Sequence, residues 1–579
     1  MNNKQYQKYY LGGVALAVVF AGFLAVKVGV NLHDVLKDSS TTRHPAVTAP
    51  KSVTPQAAQP KVKAEDQSLA WQAAITAQVA QQSDDVKHVY EQFGNAPLWT
   101  ADRVRELSQA AAFADAQAID ITKLRNLLQS VNDRSANMER KAAADVELTR
   151  ETLRLAEDLR LGAVPTAKLG RDWILPQDSF DAVGGVSAAS KDGKIKSYLT
   201  GLAPADPAFK SLMTALQTYR DLVENGGWPQ IPGKDEIKLD KVDPTLTDER
   251  VTALRARLLA EGYLRSNSGV DTAQLSEAVK HFQQRNGLDA DGRIGRDTIA
   301  ALNVPAEERL GQIAANLERW RHTPRERGDK YIAVNTAATT LDFMINGEST
   351  LHLKTVNGTP GHATPILTAK ITNVILNPVW SIPPSIATKE ILPKLQKNPD
   401  YLAKNNMVVV NGPESDRHGQ SVDWSQYTAK TLPFSFRQAA GDDNALGFIK
   451  FHMQNPQNIY LHDTPSRSFF AKAERHLSHG CVRVDTPAKL GEHVLKSEHP
   501  EWTEEALAAR FGNGGTQSIA LKTPLPVYTF YWTVFPENGT VAFRTDVYKR
   551  DKPLAEALGL KPRDVNTIAM DAKQSVASN

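Results

Sequence analysis

The sequence predicts a multidomain α+β protein, largely helical in its first half and mainly β in its second. Three observations predict this. At 579 residues the chain is too long for one hydrophobic core. Apolar residues recur at helical spacing from residue 66 to about 305, and from Lys330 the period changes to two. The only cysteine, Cys481, stands in the β half between short alternating runs.

Composition narrows the function classes. A net charge of +3 over this length, with no basic run, argues against a nucleic-acid partner. A single cysteine excludes an intramolecular disulfide, and it leaves a reactive thiol nothing to pair with in an oxidising compartment.

Residues 1–30 read as a cytoplasmic stub and transmembrane anchor. Leu11 to Val26 is apolar throughout and the run reaches Val30 across a snorkelling Lys27. Lys4 and Lys8 before it place the N-terminus in the cytoplasm and the rest outside. A cleaved signal peptide has the same outline, but no small-x-small site follows the run. Residues 31–65 are a linker, with Pro45, Pro50, Pro55 and Pro60 among Ala, Thr, Val and Lys.

Residues 66–240 form a helical scaffold. Ala144 to Leu161 carries Val146, Leu148, Leu153, Leu155 and Leu159 at helical spacing, and Phe209 to Leu222 repeats the pattern before Gly226-Gly227-Trp228-Pro229 breaks it. Residues 245–305 form a compact three-helix module. Thr247 caps a first helix through Val251, Leu254 and Leu258; Thr272 to Asn286 makes a second; Arg296 to Leu302 makes a third after the turn at Asp291 to Gly295. Residues 306–329 are a helical connector.

The β domain spans 330–545. Tyr331 to Asn335, Thr340 to Ile345 and Thr350 to Lys354 read as strands, with Gly347 turning a hairpin. Thr372 to Trp380, Phe448 to Met453, Val527 to Val534 and Val541 to Phe543 follow. Residues 384–445 interrupt the sheet, with Pro393 a kink in a helix from Ile386 to Gln396 and Met407 to Val410 a short strand. Residues 546–579 are a C-terminal tail.

The chemistry concentrates at Asn458 to Pro465 and Ser478 to Val484. An apolar run ends at His462, 481 − 462 = 19 residues before Cys481, which opens a second run. Adjacent strands would bring imidazole and thiol together as base and nucleophile, as in thiol acyltransferases. A lone cysteine is otherwise a small buried hydrophobe. His462, His476, His479 and Cys481 also invite a zinc reading, but their spacing matches no common zinc pattern, so no metal or cofactor is expected.

His462 followed by Ser478-His479-Gly480-Cys481-Val482-Arg483 resembles the signature of the L,D-transpeptidase catalytic domain, the YkuD-type fold. Ile459 to Pro465 resembles its large periplasmic YcbB-type branch, as do Pro97-Leu98-Trp99 and Gly226 to Pro229. The module with Phe282-Gln283 and Asp291 to Gly295 is similar to type-1 peptidoglycan-binding domains. The resemblance implies a capping subdomain at 384–445 and a periplasmic enzyme anchored to the inner membrane of a Gram-negative-type cell. It implies peptidoglycan stem peptides and glycan as partners, together with other wall-synthesis enzymes, and acylation by carbapenems.

The implied reaction joins two stems. Cys481 attacks a tetrapeptide stem, releases D-Ala and passes the acyl group to a diamino-acid amine, giving a 3→3 cross-link. His462 takes the thiol proton or holds a thiolate–imidazolium pair. The resemblance points to the backbone carbonyl of Asp463 as the imidazole's partner; its carboxylate is the alternative. Backbone N–H groups around His479, Gly480 and Cys481 would form an oxyanion hole, joined by the Tyr460 hydroxyl. Ser478 would tie the loop, and Arg483 would bind a substrate carboxylate or form a surface ion pair. Rival readings are an L,D-carboxypeptidase or amidase, an enzyme attaching lipoprotein to the wall, and a non-catalytic wall-binding scaffold.

Overall fold

A computed structural model describes residues 64–131, 135–170, 172–176, 178–239, 249–266 and 271–560. The expected anchor and linker up to residue 63, the cap at Thr247 and the tail beyond residue 560 lie outside the described residues. No helix among the described residues is long and apolar enough to cross a membrane.

The scaffold is helical from Ala64 to Glu224. Its longest helix, Met138–Leu161, starts where the Asn137 side chain accepts the Arg140 N–H at 3.0 Å. Buried Asp145 on this helix accepts the backbone N–H groups of Leu98 (3.0 Å) and Trp99 (2.9 Å) and the Tyr90 hydroxyl. Pro97-Leu98-Trp99 is therefore a docking turn. Gly226 to Pro229 is another: the Trp228 indole donates to the Val304 carbonyl at 3.0 Å, and the Arg257 guanidinium lies 3.7 Å from its ring centroid.

The three-helix module comprises Glu249–Ala260, Thr272–Arg285 and Arg296–Leu302. A reciprocal cap between Asp271 and Gln274 opens the second helix. Buried Gln283 fixes the following turn: it accepts the Gly292 N–H at 2.8 Å and donates to the Arg293 carbonyl at 2.8 Å. The expected connector is the spine of the molecule. Helix Ala306–Arg321 is buried along most of its length and packs against helix Pro207–Glu224. The expected tail begins with structure: helix Asp551–Ala557 docks on this spine, burying Leu554 and joining Asp551 to Arg319 at 2.5 Å.

Fourteen strands are described in the β domain: β1 Lys330–Asn335, β2 Thr340–Ile345, β3 Glu348–Gly358, β4 Thr368–Leu376, β5 Trp380–Ser381, β6 Met407–Val409, β7 Phe436–Gln438, β8 Ile449–Met453, β9 Leu461–His462, β10 His476–Ser478, β11 Val482–Val484, β12 Gln517–Phe530, β13 Val534–Glu537 and β14 Thr540–Phe543. The main sheet runs β10-β3-β11-β9-β8-β4-β12-β1-β2, and β3 also pairs with β2, so it closes on itself. Helices Pro487–Leu495 and Glu504–Arg510 add Leu490, Val494 and Leu507 to its core.

Two strand expectations are corrected. The run at Thr372 to Trp380 splits: β4 stops at Leu376, Asn377 turns the chain with φ 46°, and Trp380–Ser381 leaves to pair with β7. β12 starts ten residues before Val527; Pro524 and Pro526 concealed it, and a register shift between Ala520 and Leu525 accommodates them.

The insertion has its own sheet, β5-β7-β6, and its own core around Leu395, Leu402, Trp424 and Phe436. It is bounded by Trp380 and Gln438, where residues 384–445 were expected. Its helical run Pro384–Lys397 widens to a π turn over Ala387–Ile391 just before Pro393. A proline lacks the N–H of the ladder and crowds the carbonyl four residues back, here that of Lys389, so the wider turn takes up the mismatch.

Candidate active site

β8, β9 and β11 lie side by side, and their alternation separates two faces. Ile449, Phe451, Met453, Leu461, Val482 and Val484 point into the core. The other face carries the polar residues. Lys450 lies opposite His462 across β8 and β9, and His462 lies opposite Arg483 across β9 and β11. Cys481 immediately precedes β11 and sits beside Tyr460.

The His462 ring is buried, and its Nδ1 donates to the Asp463 carbonyl at 2.5 Å. That bond leaves Nε2 as the basic nitrogen. The Asp463 carboxylate is engaged elsewhere: it accepts the Phe448 N–H at 2.9 Å and Arg467 at 2.8 Å. Gly447 is required here, since a Cβ on it would lie 2.3 Å from the Asp463 carboxylate. Burial, then the Arg483 cation, push the His462 pKa down to about 3, against the hydrogen bonds that the ring donates to the Asp463 and Leu446 carbonyls. The imidazole is neutral at neutral pH.

Cys481 is half-buried, and its Sγ faces the Asn458 carbonyl at 3.8 Å. Burial raises its pKa, while hydrogen bonds from Tyr460 and the cations Lys450 and Arg483 act downward. The resting pair is therefore a thiol and a neutral imidazole. Between the described residues Cys481 and His462 themselves no hydrogen bond forms.

The preceding loop is tightly tied. Ser478 Oγ donates to the Cys481 carbonyl at 2.6 Å and accepts the Gly480 N–H at 3.1 Å. Thr364 Oγ donates to the Gly480 carbonyl at 2.7 Å, and Gly480 holds φ 115°. This corrects one expectation: the Gly480 N–H is already bonded and is no free oxyanion donor. Among the described residues the N–H groups of His479 and Cys481 have no backbone acceptor.

The other polar residues separate into distinct settings. Tyr460 contacts both Cys481 and the Trp380 side chain, and burial raises its phenol pKa. His479 meets Glu390 of the insertion, 2.5 Å away. His476 bonds Glu474 and, at 2.8 Å, the Thr336 carbonyl. His462, His476, His479 and Cys481 therefore do not converge on one point. Arg483 lies 5.7 Å from the Phe469 ring centroid, its Nε buried without a partner. Sequence reasoning gave no role to Lys450, Asn458, Trp380 or Glu390, although Asn458 opens the stretch that carries the chemistry and Lys450 is a charge inside a period-two run.

A second concave region lies apart from this site. A groove of about 1600 Å³ runs between the three-helix module, the spine helix and helix Asp551–Ala557, lined by Gln283, Arg296, Glu308, Arg544 and Lys552 among others.

Comparison with known proteins gives three family matches. Residues 329–502 match the L,D-transpeptidase catalytic domain, YkuD, and residues 84–216 match a scaffold domain. Residues 247–302 match a family described as "Putative peptidoglycan binding domain". A curated Haemophilus influenzae protein named "Putative L,D-transpeptidase" is 31% identical over 292 residues, which is 50% of this chain and 57% of the relative. The chain thus matches little more than half the length of that relative. A crystal structure of the L,D-transpeptidase (residues 123–326) from Xylanimonas cellulosilytica is 16% identical, covers 52% of this chain and 98% of that one, and has a TM-score of 0.17. An L,D-transpeptidase from Mycobacterium smegmatis is 12% identical, covers 35% and 58%, and has a TM-score of 0.16.

Proposed function

Since the chain carries a YkuD-type L,D-transpeptidase catalytic domain and a type-1 peptidoglycan-binding domain, we propose that it is a cysteine transpeptidase that cross-links peptidoglycan stems. The observation that carries the reading is the pairing of β9 with β11, which sets Cys481 beside Tyr460 and two residues along the strands from a buried neutral base, His462. An inert wall-binding scaffold has no use for a buried imidazole held neutral on the polar face of its sheet.

The reaction follows from those groups. The thiol leaves the Asn458 carbonyl and passes its proton to His462 Nε2 as Sγ attacks the carbonyl of the third stem residue. The N–H groups of His479 and Cys481, with the Tyr460 hydroxyl, are the donors for the oxyanion. The C–N bond to D-Ala breaks, the amine takes the proton back from His462, and a thioester remains on Cys481. The side-chain amine of a diamino acid in a second stem attacks it, restoring the thiol and forming a 3→3 link. Arg483 binds the donor's terminal carboxylate. The wide groove beside the three-helix module holds the polymer, and residues 11–30 tether the protein to the inner membrane, facing the periplasm.

Intact mass spectrometry of the full chain with a disaccharide-tetrapeptide, alone and then with a second stem, tests this. Release of D-Ala with an acyl adduct on Cys481 and a cross-linked dimer is the expected result, lost entirely in Cys481→Ala. Release of D-Ala with tripeptide alone would replace the reading by a carboxypeptidase. Turnover surviving in Cys481→Ala would overturn the mechanism.

A further inference from the structure

The polar face of β8, β9 and β11 holds two rows. Lys450, His462 and Arg483 form one; two residues along the strands, His452, Tyr460 and Cys481 form the other. Lys450 does not stay in its row. Its ammonium leans over the Tyr460 ring, 4.0 Å from the centroid, and Tyr460 is the residue whose hydroxyl bonds the Cys481 thiol. The ammonium is thereby carried toward the sulfur, with an aromatic face as its support.

The charges around it leave it uncompensated. His462 is neutral and adds no positive charge in the resting enzyme. The other titratable or charged groups around the thiol are His452 on β8, Tyr460 on β9, Arg483 on β11, and His362, His479 and Glu390 on the loop and insertion side. Glu390 is paired with His479, and Asp463 is bound to Phe448 and Arg467. Neither Lys450 nor Arg483 has a carboxylate partner among the described residues; for both, the nearest negative group is the Cys481 sulfur when it is charged. A half-buried ammonium held beside a thiol is most stable when that thiol carries charge.

We propose that Lys450 is a positioning residue for the nucleophile: its ammonium, held over the Tyr460 ring, supplies the positive charge against which Cys481 becomes a thiolate. This rests on the reading of Cys481 as the nucleophile. The ammonium lowers the cost of charging the sulfur whether the proton goes to His462 or to water. It touches neither substrate nor reacting atoms and acts through the field and through Tyr460.

The rate of Cys481 alkylation by iodoacetamide, followed by intact mass from pH 5 to 11 on the full chain, reads this directly. Lys450→Met should move the alkylation midpoint upward by about one pH unit, roughly tenfold slower reaction near pH 7. Lys450→Arg, which keeps the charge but cannot serve as a base, should hold the midpoint near the wild-type value. A midpoint unmoved in Lys450→Met overturns the proposal, as does Lys450→Arg shifting as far as Lys450→Met. If Lys450→Met loses its cooperative thermal melt, Lys450→Gln is judged by the same criteria. Alkylation needs no stem peptide, so the two readings fail separately. Wild-type enzyme that never releases D-Ala sinks the transpeptidase reading while the midpoint shift still stands or falls alone.

Discussion

Two regions of this molecule bury charge, and they treat it in opposite ways. On the spine helix Glu318, Arg319 and Arg321 are buried in ion pairs. Glu318 accepts Arg321 at 2.7 Å, His322 at 3.0 Å and the Val164 N–H at 2.7 Å, while Arg319 reaches Asp551 on the C-terminal helix. Burial alone would raise the Glu318 pKa, but His322 and Arg321 outweigh it and hold the carboxyl below its ordinary range. On the polar face of β8, β9 and β11, Lys450 and Arg483 flank a neutral imidazole with no carboxylate between them. A closed cluster joins scaffold, spine and C-terminal helix. An open one leaves positive potential beside a sulfur, and that potential is available to chemistry.

The largest effect should come from breaking the open cluster at its base. His462→Ala should slow acylation of Cys481 by a tetrapeptide stem roughly a hundred- to ten-thousand-fold, measured in single turnover. Its pH dependence sharpens the point. With the imidazole pKa pushed down to about 3, His462 stays unprotonated through pH 5 to 8. The wild-type acylation rate should show no inflection near 6.5, where an ordinary imidazole titrates. A loss of rate centred there would mean that the base is not buried as the structure has it.

Breaking the closed cluster should cost stability and leave chemistry alone. Glu318→Gln strands Arg321 and His322 in the core, a loss of about 3–5 kcal/mol by the usual cost of halving a buried pair. Denaturant unfolding measures it, with acylation per folded molecule unchanged. The sign of the pH effect is fixed by the depressed carboxyl pKa. Its contribution is complete above the unfolded value, near 4.5, and is lost as pH falls through the lower folded value. The gap between wild type and Glu318→Gln should therefore narrow in acid. A gap constant down to pH 2 would show that Glu318 is held by packing and not by its charge.

The same contrast explains what the sequence could and could not reveal. The helices of the scaffold and module, and the strands carrying Ile459 to His462 and Cys481 to Val484, write their burial directly into periodicity. The first ten residues of β12 escaped because Pro524 and Pro526 usually exclude a strand, and only a register shift lets them in. Helix Asp551–Ala557 escaped because its apolar residues face the spine helix from the far end of the chain. Lys450 looked like an ordinary solvent-facing charge on a half-buried strand; its meaning depends on Tyr460 and Cys481 lying across the sheet. The Gly480 N–H looked free because a sequence cannot show that Ser478 Oγ already holds it.

The smallest effect should arise where the open cluster meets the insertion. His479 sits two residues from Cys481 and is the rival to His462 as the proposed base, yet it pairs with Glu390 on the helical run of the inserted subdomain. Their side chains are 43% and 36% exposed. A contact so exposed to solvent is worth about 0.2–1 kcal/mol even when the imidazole carries a charge. Glu390→Gln should therefore lower the transfer rate by no more than about fivefold, and the difference from wild type should shrink as salt screens the pair. If the link only steadies the insertion over the site, the loss should fall on the apparent affinity for the donor stem and spare the single-turnover rate at saturation. A hundredfold fall in that saturated rate would move His479 from loop support to proton transfer, and the assignment of His462 as the base would have to be reopened.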